Sequence, residues 1–145
     1  MRVTHKVIRK NPASMLKYGN SVAEGIKRQI LIGATQVRND AISSIAQGAK
    51  SGRVYRKYNP NRVHKASAAG EAPATDTGFL VSQINLEMDV DRFGASVDSK
   101  APYSSFLEFG TSQMSARPFL QPALEINKKK ITANIRRAIK KAGKG

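Results

Sequence analysis

The first long segment of the chain has apolar residues at steps of four or seven positions, which places them along one side of a helix. This spacing predicts a single amphipathic helix over residues 18–49. The residues before it contain an Asn11-Pro12 breaker and no such stripe, so we expect residues 1–17 to form an extended arm. The apolar stripe consists of Val22, Ile26, Ile30, Val37, Ala41 and Ile45.

A second pattern, with a period of two, begins at Ile84. In the stretch INLEMDVD (84–91), apolar and polar residues alternate, so that one face of an extended strand is apolar and the other acidic. The tetrapeptide DRFG (91–94) supplies a turn, and ASVDS (95–99) returns with a similar alternation. The pattern therefore predicts a β-hairpin with one buried face.

The segments around this hairpin carry helix signals. Asp76 or Thr77 is suited to cap a short helical turn through GFLVSQ, and Pro102 suits the first position of a short helix that Gly110 would end. A last helix is predicted over residues 119–141, followed by a tail at 142–145. Its apolar stripe consists of Leu120, Leu124, Ile131, Ile135 and Ile139.

Residues 50–75 show neither period and are rich in Gly, Pro, Ser, Ala and basic residues. We expect a long basic loop or arm that becomes ordered on a partner. The elements together predict a single α+β domain over residues 1–145, with long N-terminal and C-terminal helices packed on a small antiparallel β-sheet. The hairpin and short helix would form its core, within residues 76–125.

Charge is distributed unevenly along the chain. The protein has 145 residues, 25 Lys and Arg, 10 Asp and Glu, and a net charge of +15. Residues 1–70 hold 14 bases and two acids, residues 71–125 hold three bases and eight acids, and residues 126–145 hold eight bases and no acid. This basic, acidic, basic order favours an anionic partner, or copies that stack with opposite charges facing.

Composition argues against several classes of site. The chain has no cysteine and only two histidines, neither with a ligand-spaced neighbour, so we expect no disulfide, metal site or cofactor. No apolar run approaches the roughly 20 residues of a membrane-spanning helix. The basic N-terminus lacks the apolar core of a secretory signal, so we expect a soluble chain without a membrane partner.

Aromatic and basic residues are interleaved in the predicted loop. Such a segment suits base stacking and phosphate neutralisation, or docking on an acidic protein surface, and we favour protein docking. The basic C-terminal helix is similarly better explained as a packed helix with a charged outer face than as a nucleic-acid or membrane surface. The candidate interface residues of the loop are Arg53, Tyr55, Arg56, Lys57, Tyr58, Arg62 and Lys65.

The predicted hairpin offers one enzymatic alternative. Metal-dependent nucleases often place an Asp and an acid-x-Lys triplet on adjacent strands, and Asp89 with Asp98 and Lys100 fits that order. Alternating acids are also common on surface hairpins, so we favour a protein that is not an enzyme.

The stretch FLEFGTSQMSARPFL (106–120), preceded by Tyr103, resembles the tail-completion or head–tail connector family of long-tailed, lambda-like bacteriophages and prophages. The segments GRVYRK (52–57) and HKASAAGEAPATDTG (64–78) resemble the same family. The resemblance covers residues 52–125, and its two separated motifs occur in the same order as in the family.

The resemblance implies a structural protein of the virion neck, assembled in the cytoplasm of a bacterial host, that completes the tail and joins it to the capsid connector. It implies a ring of identical subunits, with a hexamer as the leading expectation and a dodecamer as the alternative. Neighbouring connector, tail-terminator or tail-tube proteins would be its partners, and DNA passing through the channel could contact it. A basic nucleic-acid-binding protein is the alternative function.

The resemblance also indicates roles for the residues of its motif. We expect Phe106, Leu107 and Phe109 to bury the short helix against the sheet, and Gly110 to end that helix in a left-handed conformation. Pro118 would start the last helix, with Phe119 and Leu120 in the core. Glu108 and Arg117 would pair within or between subunits, and Met114 would join them as an interface candidate. The structural motif is Tyr103, Phe106, Phe109, Gly110, Pro118 and Phe119.

Overall fold

The computed structural model describes residues 12–143, and these form an α+β fold, as predicted. Two long helices lie together, and this part of the chain also has two separate two-stranded antiparallel sheets and two short helices. Of the two sheets, β3–β4 packs on α1. The elements are α1 (Pro12–Gln47), β1 (Val54–Tyr58), β2 (Asn61–Lys65), α2 (Phe79–Ser82), β3 (Ile84–Asp89), β4 (Gly94–Ser99), α3 (Ser104–Phe109) and α4 (Leu120–Ala142).

Helix α1 supports the rest of the fold. Its predicted apolar stripe is buried at Val37, Ala41 and Ile45, and α4 packs along it. The two helices approach closely at Gly33, where an added Cβ would lie 2.7 Å from Cγ1 of Ile131. A larger residue at position 33 would therefore displace the Ile131 side chain.

The β3–β4 hairpin is the predicted one, and its apolar face packs on α1. Ile84 pairs with Ser99 and is 1% exposed, while the guanidinium Nε of Arg38 donates a hydrogen bond to the Ile84 carbonyl at 3.0 Å. The strand ends at Asp89, so Val90 lies beyond it and is exposed. The core cluster is Val37, Ala41, Ile45, Leu80, Ile84, Ala101, Phe119 and Ala123.

The prediction of a structureless loop over residues 50–75 is wrong for its first half. Strands β1 and β2 pair from Val54 with Lys65 to Tyr58 with Asn61, and a two-residue turn with a cis Asn59-Pro60 bond joins them. Neither face of this hairpin packs broadly on a helix, so selection for a buried face did not impose an alternating pattern.

Helix boundaries also differ from the prediction. Helix α1 begins at Pro12, so residues 12–17 are helical and do not form an arm, because proline is tolerated where a helix begins. It ends at Gln47, two residues before the predicted end, and α4 begins at Leu120. The rest of the predicted arm, residues 1–11, and the last two residues of the predicted tail lie outside the described residues.

Candidate functional site

The carboxylate of Asp76 ties one side of the β1–β2 hairpin to the rest of the protein. Asp76 accepts a hydrogen bond from Nζ of Lys57 and another from the guanidinium of Arg62. His64 contributes Nδ1 at 3.9 Å from the same carboxylate. The hydrogen bond from Lys57, together with the charge of Arg62, lowers the pKa of Asp76. Lys57, Tyr55, Arg62 and His64 share one side of the ribbon, which we call the inner face.

A second carboxylate closes the base of this hairpin. Glu71 accepts hydrogen bonds from the backbone N–H of Ser51 at 2.9 Å, from the Ser51 hydroxyl, and from the backbone N–H of Ala68 at 2.8 Å. These hydrogen bonds, the one from the Ser51 hydroxyl first, lower the pKa of Glu71 to about 2. The two strands are thus held at their ends by polar contacts and not by an apolar core.

The opposite side of the ribbon, which we call the outer face, is open to solvent. Tyr58 is 80% exposed and Val63 is 65% exposed, and neither is covered by another element. Arg56 and Lys65 lie on the same face and have no ion-pair partner among residues 12–143. The outer face consists of Val54, Arg56, Tyr58, Asn61, Val63 and Lys65. The outer face is therefore both apolar and basic.

The connection from α3 to α4 is organised by Glu108. One carboxylate oxygen accepts hydrogen bonds from the backbone N–H groups of Phe119 at 2.9 Å and Leu120 at 3.1 Å. The other accepts from the N–H of Gln121 at 2.8 Å. The first N–H groups of a helix have no partner within that helix, so Glu108 supplies the cap that Phe119, as the N-cap residue, cannot.

This arrangement corrects the predicted role of Glu108. Its carboxylate is buried and engaged with α4, and within the described residues it forms no ion pair with Arg117. The sequence carried one relevant signal, since no side chain at Pro118 or Phe119 is able to cap the helix that follows. A capping group had to come from elsewhere in the fold.

Arg117 lies on the other side of the connection. Its backbone N–H donates to the Leu107 carbonyl at 2.7 Å, and its Nε is buried without a hydrogen-bond partner among the described residues. The side chain lines a cavity of about 210 Å³ together with His64 and Ser67, whose hydroxyl is also buried and unpartnered within residues 12–143. This places Arg117 between the first hairpin and α3, not on an outer surface.

Gly110 ends α3, as predicted. Its φ of 76° and ψ of −179° belong to a region that glycine adopts almost alone. A Cβ at this position would lie 2.8 Å from the carbonyl oxygen of Met114 and 2.9 Å from the backbone nitrogen of Ala116. Met114 is half-buried in this turn, where its carbonyl accepts a hydrogen bond from Thr111 N–H at 2.8 Å.

The expectation that Phe106 and Phe109 bury α3 is wrong. Only Leu107 packs on the core, because the short helix directs its two phenylalanines outward. Phe109 is 77% exposed, and Tyr103 contacts only the edge of the fold through a tilted ring contact with Phe79, at 6.2 Å between centroids. Neither phenylalanine therefore contributes to the core of the described fold.

Phe109 stands at the rim of an apolar groove of about 620 Å³ between α1, β4, α3 and α4. Asp98 of β4 also lines it, and no residue from 12 to 143 offers its carboxylate a hydrogen bond or an ion pair. The apolar residues that line the groove include Ile30, Ala34, Val97, Leu120, Leu124 and Ile131. Because side chains alternate along β4, the Asp98 side chain lies on the strand face opposite to Val97, so the groove is an apolar surface with one free negative charge at its border.

The candidate nuclease residues are not brought together. Asp89 pairs with Gly94 and Asp98 pairs with Asn85, so the two acids share a face but lie four residues apart along the ladder. That spacing is about 13 Å, which is too far for both to bind one ion. Lys100 instead lies 3.4 Å from Glu87. Within residues 12–143, no cluster of three or more His, Asp or Glu side chains could hold a metal.

Comparison of the chain with protein-family models, with curated proteins and with solved structures finds no match. None of the helices in the described part of the chain has the length and apolar character needed to cross a bilayer.

Proposed function

We propose that this protein is a structural subunit of a siphophage neck, forming a ring that completes the tail and joins it to the capsid connector. The resemblance of residues 106–120 to the tail-completion and head–tail connector family is the origin of this proposal. A ring of six subunits is the leading expectation, and a ring of twelve is the alternative. Connector, tail-terminator and tail-tube proteins are its proposed neighbours in the virion.

One observation carries the proposal. The outer face of the first hairpin and the groove beside Phe109 are two different exposed apolar surfaces on one small chain. A closed ring requires such a pair, because each subunit presents one surface to one neighbour and a different surface to the other. The motif that carries the resemblance builds part of the second surface.

Electron microscopy of virions and of the purified protein with its neck partners tests this proposal. We expect rings at the head–tail junction, and particles lacking the protein should separate into heads and tails. If the protein is missing from virions, the proposal is wrong.

A substitution at Gly110 provides a second test. Because any side chain there collides with the backbone of Met114 and Ala116, Gly110→Val should prevent ring formation. Gly19→Val is the control, since nothing lies within 4 Å of a Cβ at position 19. Rings of wild-type size and stability in Gly110→Val would count against this role of the turn.

Nucleic-acid binding is the second candidate. It is favoured by the net charge of +15 and by the exposed Lys and Arg side chains of α4. It predicts tight binding to duplex DNA with a steep dependence on salt concentration. Because DNA also passes through a phage neck, modest affinity alone does not separate the candidates, whereas the presence of rings does.

A further inference from the structure

We propose that the outer face of the β1–β2 hairpin of one copy docks in the groove of a second copy, where Asp98 receives the free cations of the hairpin. The inference rests on the ring proposed above and names its subunit contact. The two surfaces differ, so the contact is heterologous and repeats from subunit to subunit.

The hairpin itself supplies the first argument. Within one copy, the ion pairs to Asp76 hold its inner face against the protein, so its outer face is directed away from its own fold. A two-stranded hairpin alone is marginally stable in water, yet this one leaves Val54, Tyr58 and Val63 uncovered. A partner that covers these side chains would stabilise the ribbon.

The chemistry of the outer face favours a protein over a nucleic acid. Lys57 and Arg62 share the single negative charge of Asp76, so the net charge that the hairpin offers to phosphates is one unit lower than its Lys and Arg residues indicate. The free cations Arg56 and Lys65 alternate with apolar side chains. Affinity for phosphates comes mainly from cations, whereas protein interfaces combine apolar anchors with a few charges.

The groove supplies complementary chemistry. Its walls are apolar, Phe109 projects at its rim, and Asp98, at the border of the groove on β4, has a carboxylate without a partner among residues 12–143. Glu108, the other acid in its lining, is engaged with α4. An apolar, singly acidic groove therefore matches an apolar, basic ribbon in both hydrophobicity and sign, and such complementarity fixes the register of a contact.

Because the chain has no cysteine, the contact can be tested with engineered disulfides, and no native cysteine can form a competing disulfide. Val63→Cys and Phe109→Cys are prepared as separate full-length proteins, mixed and oxidised. We expect a mixed disulfide, identified by mass spectrometry of the joined peptides. Ile126→Cys replaces Phe109→Cys in the control, since Ile126 is 75% exposed but does not line the groove. Both native sites are exposed, so folding should be unaffected.

A charge exchange tests the role of Asp98. Asp98→Lys in the Phe109→Cys protein should reduce the mixed disulfide about tenfold, the size of one favourable charge pair of roughly 1.4 kcal/mol. Adding Arg56→Glu and Lys65→Glu to the Val63→Cys protein should restore it. Asp91→Lys is the control, because Asp91 is also exposed and unpaired within the described chain but lies outside the groove lining.

The outcomes separate this inference from the proposed function. If rings are seen at the neck but the Ile126→Cys control cross-links to the same extent as Phe109→Cys, the docking inference is overturned and the ring proposal stands. If no ring is seen and the protein is missing from virions, the proposed function fails and this inference fails with it. If no specific disulfide forms and duplex DNA binding is lost in the Arg56→Glu, Lys65→Glu protein, the outer face binds nucleic acid and the inference is overturned.

Discussion

The two hairpins have nearly the same length and topology but are stabilised in different ways. The β3–β4 hairpin places Ile84 in the core and rests its apolar face on α1. The β1–β2 hairpin has no such support and is held by Asp76 and Glu71. One hairpin is therefore part of the hydrophobic core, and the other is an appendage attached by hydrogen bonds and ion pairs.

The two hairpins therefore differ in what they contribute: β3–β4 stabilises the core, and β1–β2 presents an exposed face. Burial of apolar side chains fixes β3–β4 without requiring a particular protonation state, since it does not involve charge. Carboxylate contacts leave the outer face of β1–β2 free, because they use only the inner face and the base of the ribbon. A hairpin that is attached in this way can present apolar side chains to a partner without belonging to the core.

The largest expected effect comes from removing core packing in the second hairpin. Ile84→Ala should lower the free energy of unfolding by about 2–5 kcal/mol, because it leaves a cavity where the side chain is 1% exposed. Val63→Ala, in the first hairpin, should change it by at most about 0.5 kcal/mol. Urea denaturation of both variants measures this. Similar losses would show that the first hairpin also belongs to the core.

Acid should loosen the first hairpin before the second. Hydrogen bonds lower the pKa of Glu71 to about 2 from 4.5, so its ionised form stabilises the fold above about pH 4.5. That contribution is lost as the pH falls towards 2. The lowered pKa of Asp76 has the same sign. We expect the protection of amides in residues 54–65, relative to their intrinsic exchange rate at each pH, to fall over this range, while residues 84–89 stay protected.

A matched variant identifies the carboxylate responsible for this acid response. Glu71→Gln should show fast exchange at the base of the hairpin already at neutral pH, and a smaller further change on acidification. An unchanged acid response in Glu71→Gln would assign the effect to another group.

Loss of the Asp76 carboxylate should release the inner face without unfolding the protein. Asp76→Asn cannot pair with Lys57 and Arg62, so exchange in β1 and β2 should be faster than in the wild type. The midpoint of urea denaturation should remain that of the wild type. Asp89→Asn is the control, because its contact with Arg92, at 3.8 Å, is exposed. A large fall in the midpoint would place the first hairpin in the cooperative core.

The smallest effect is expected for the surface ion pair of the second hairpin. Glu87 and Lys100 lie 3.4 Å apart with both side chains exposed, and such pairs contribute at most about 1 kcal/mol. Glu87→Gln should therefore change the free energy of unfolding by about 0.5 kcal/mol or less. Denaturation at low and high salt checks this. A larger loss would show that charge, and not only packing, supports β3–β4.

The sequence predicted the core elements well because an element with one buried face has apolar residues at regular spacing. The stripe of α1 and the alternation that begins at Ile84 both correspond to faces that the fold covers. The first hairpin escaped prediction because its side chains are exposed on one face and paired with Asp76 on the other, so no buried face produced a pattern.

The groove could not be predicted from the motif alone. Phenylalanine is a residue type common in protein cores, so the sequence suggested that Phe106 and Phe109 would be buried. They are exposed because Leu107 and Glu108 occupy the inward side of a very short helix. Contacts between residues far apart in sequence, such as Asp76 with Lys57, depend on the tertiary arrangement. The sequence therefore identified several of the side chains around the groove and the first hairpin, but not the directions in which they point.

The capping of α4 by Glu108 has a consequence for the kinetics of the proposed docking between copies. Its three hydrogen bonds lock α3 to the first turn of α4, and these two helices form one wall of the groove. That wall is preorganised, so a ligand entering the groove does not have to order it first. Association should then be limited by encounter and orientation, with the difference between strong and weak variants appearing mainly as residence time.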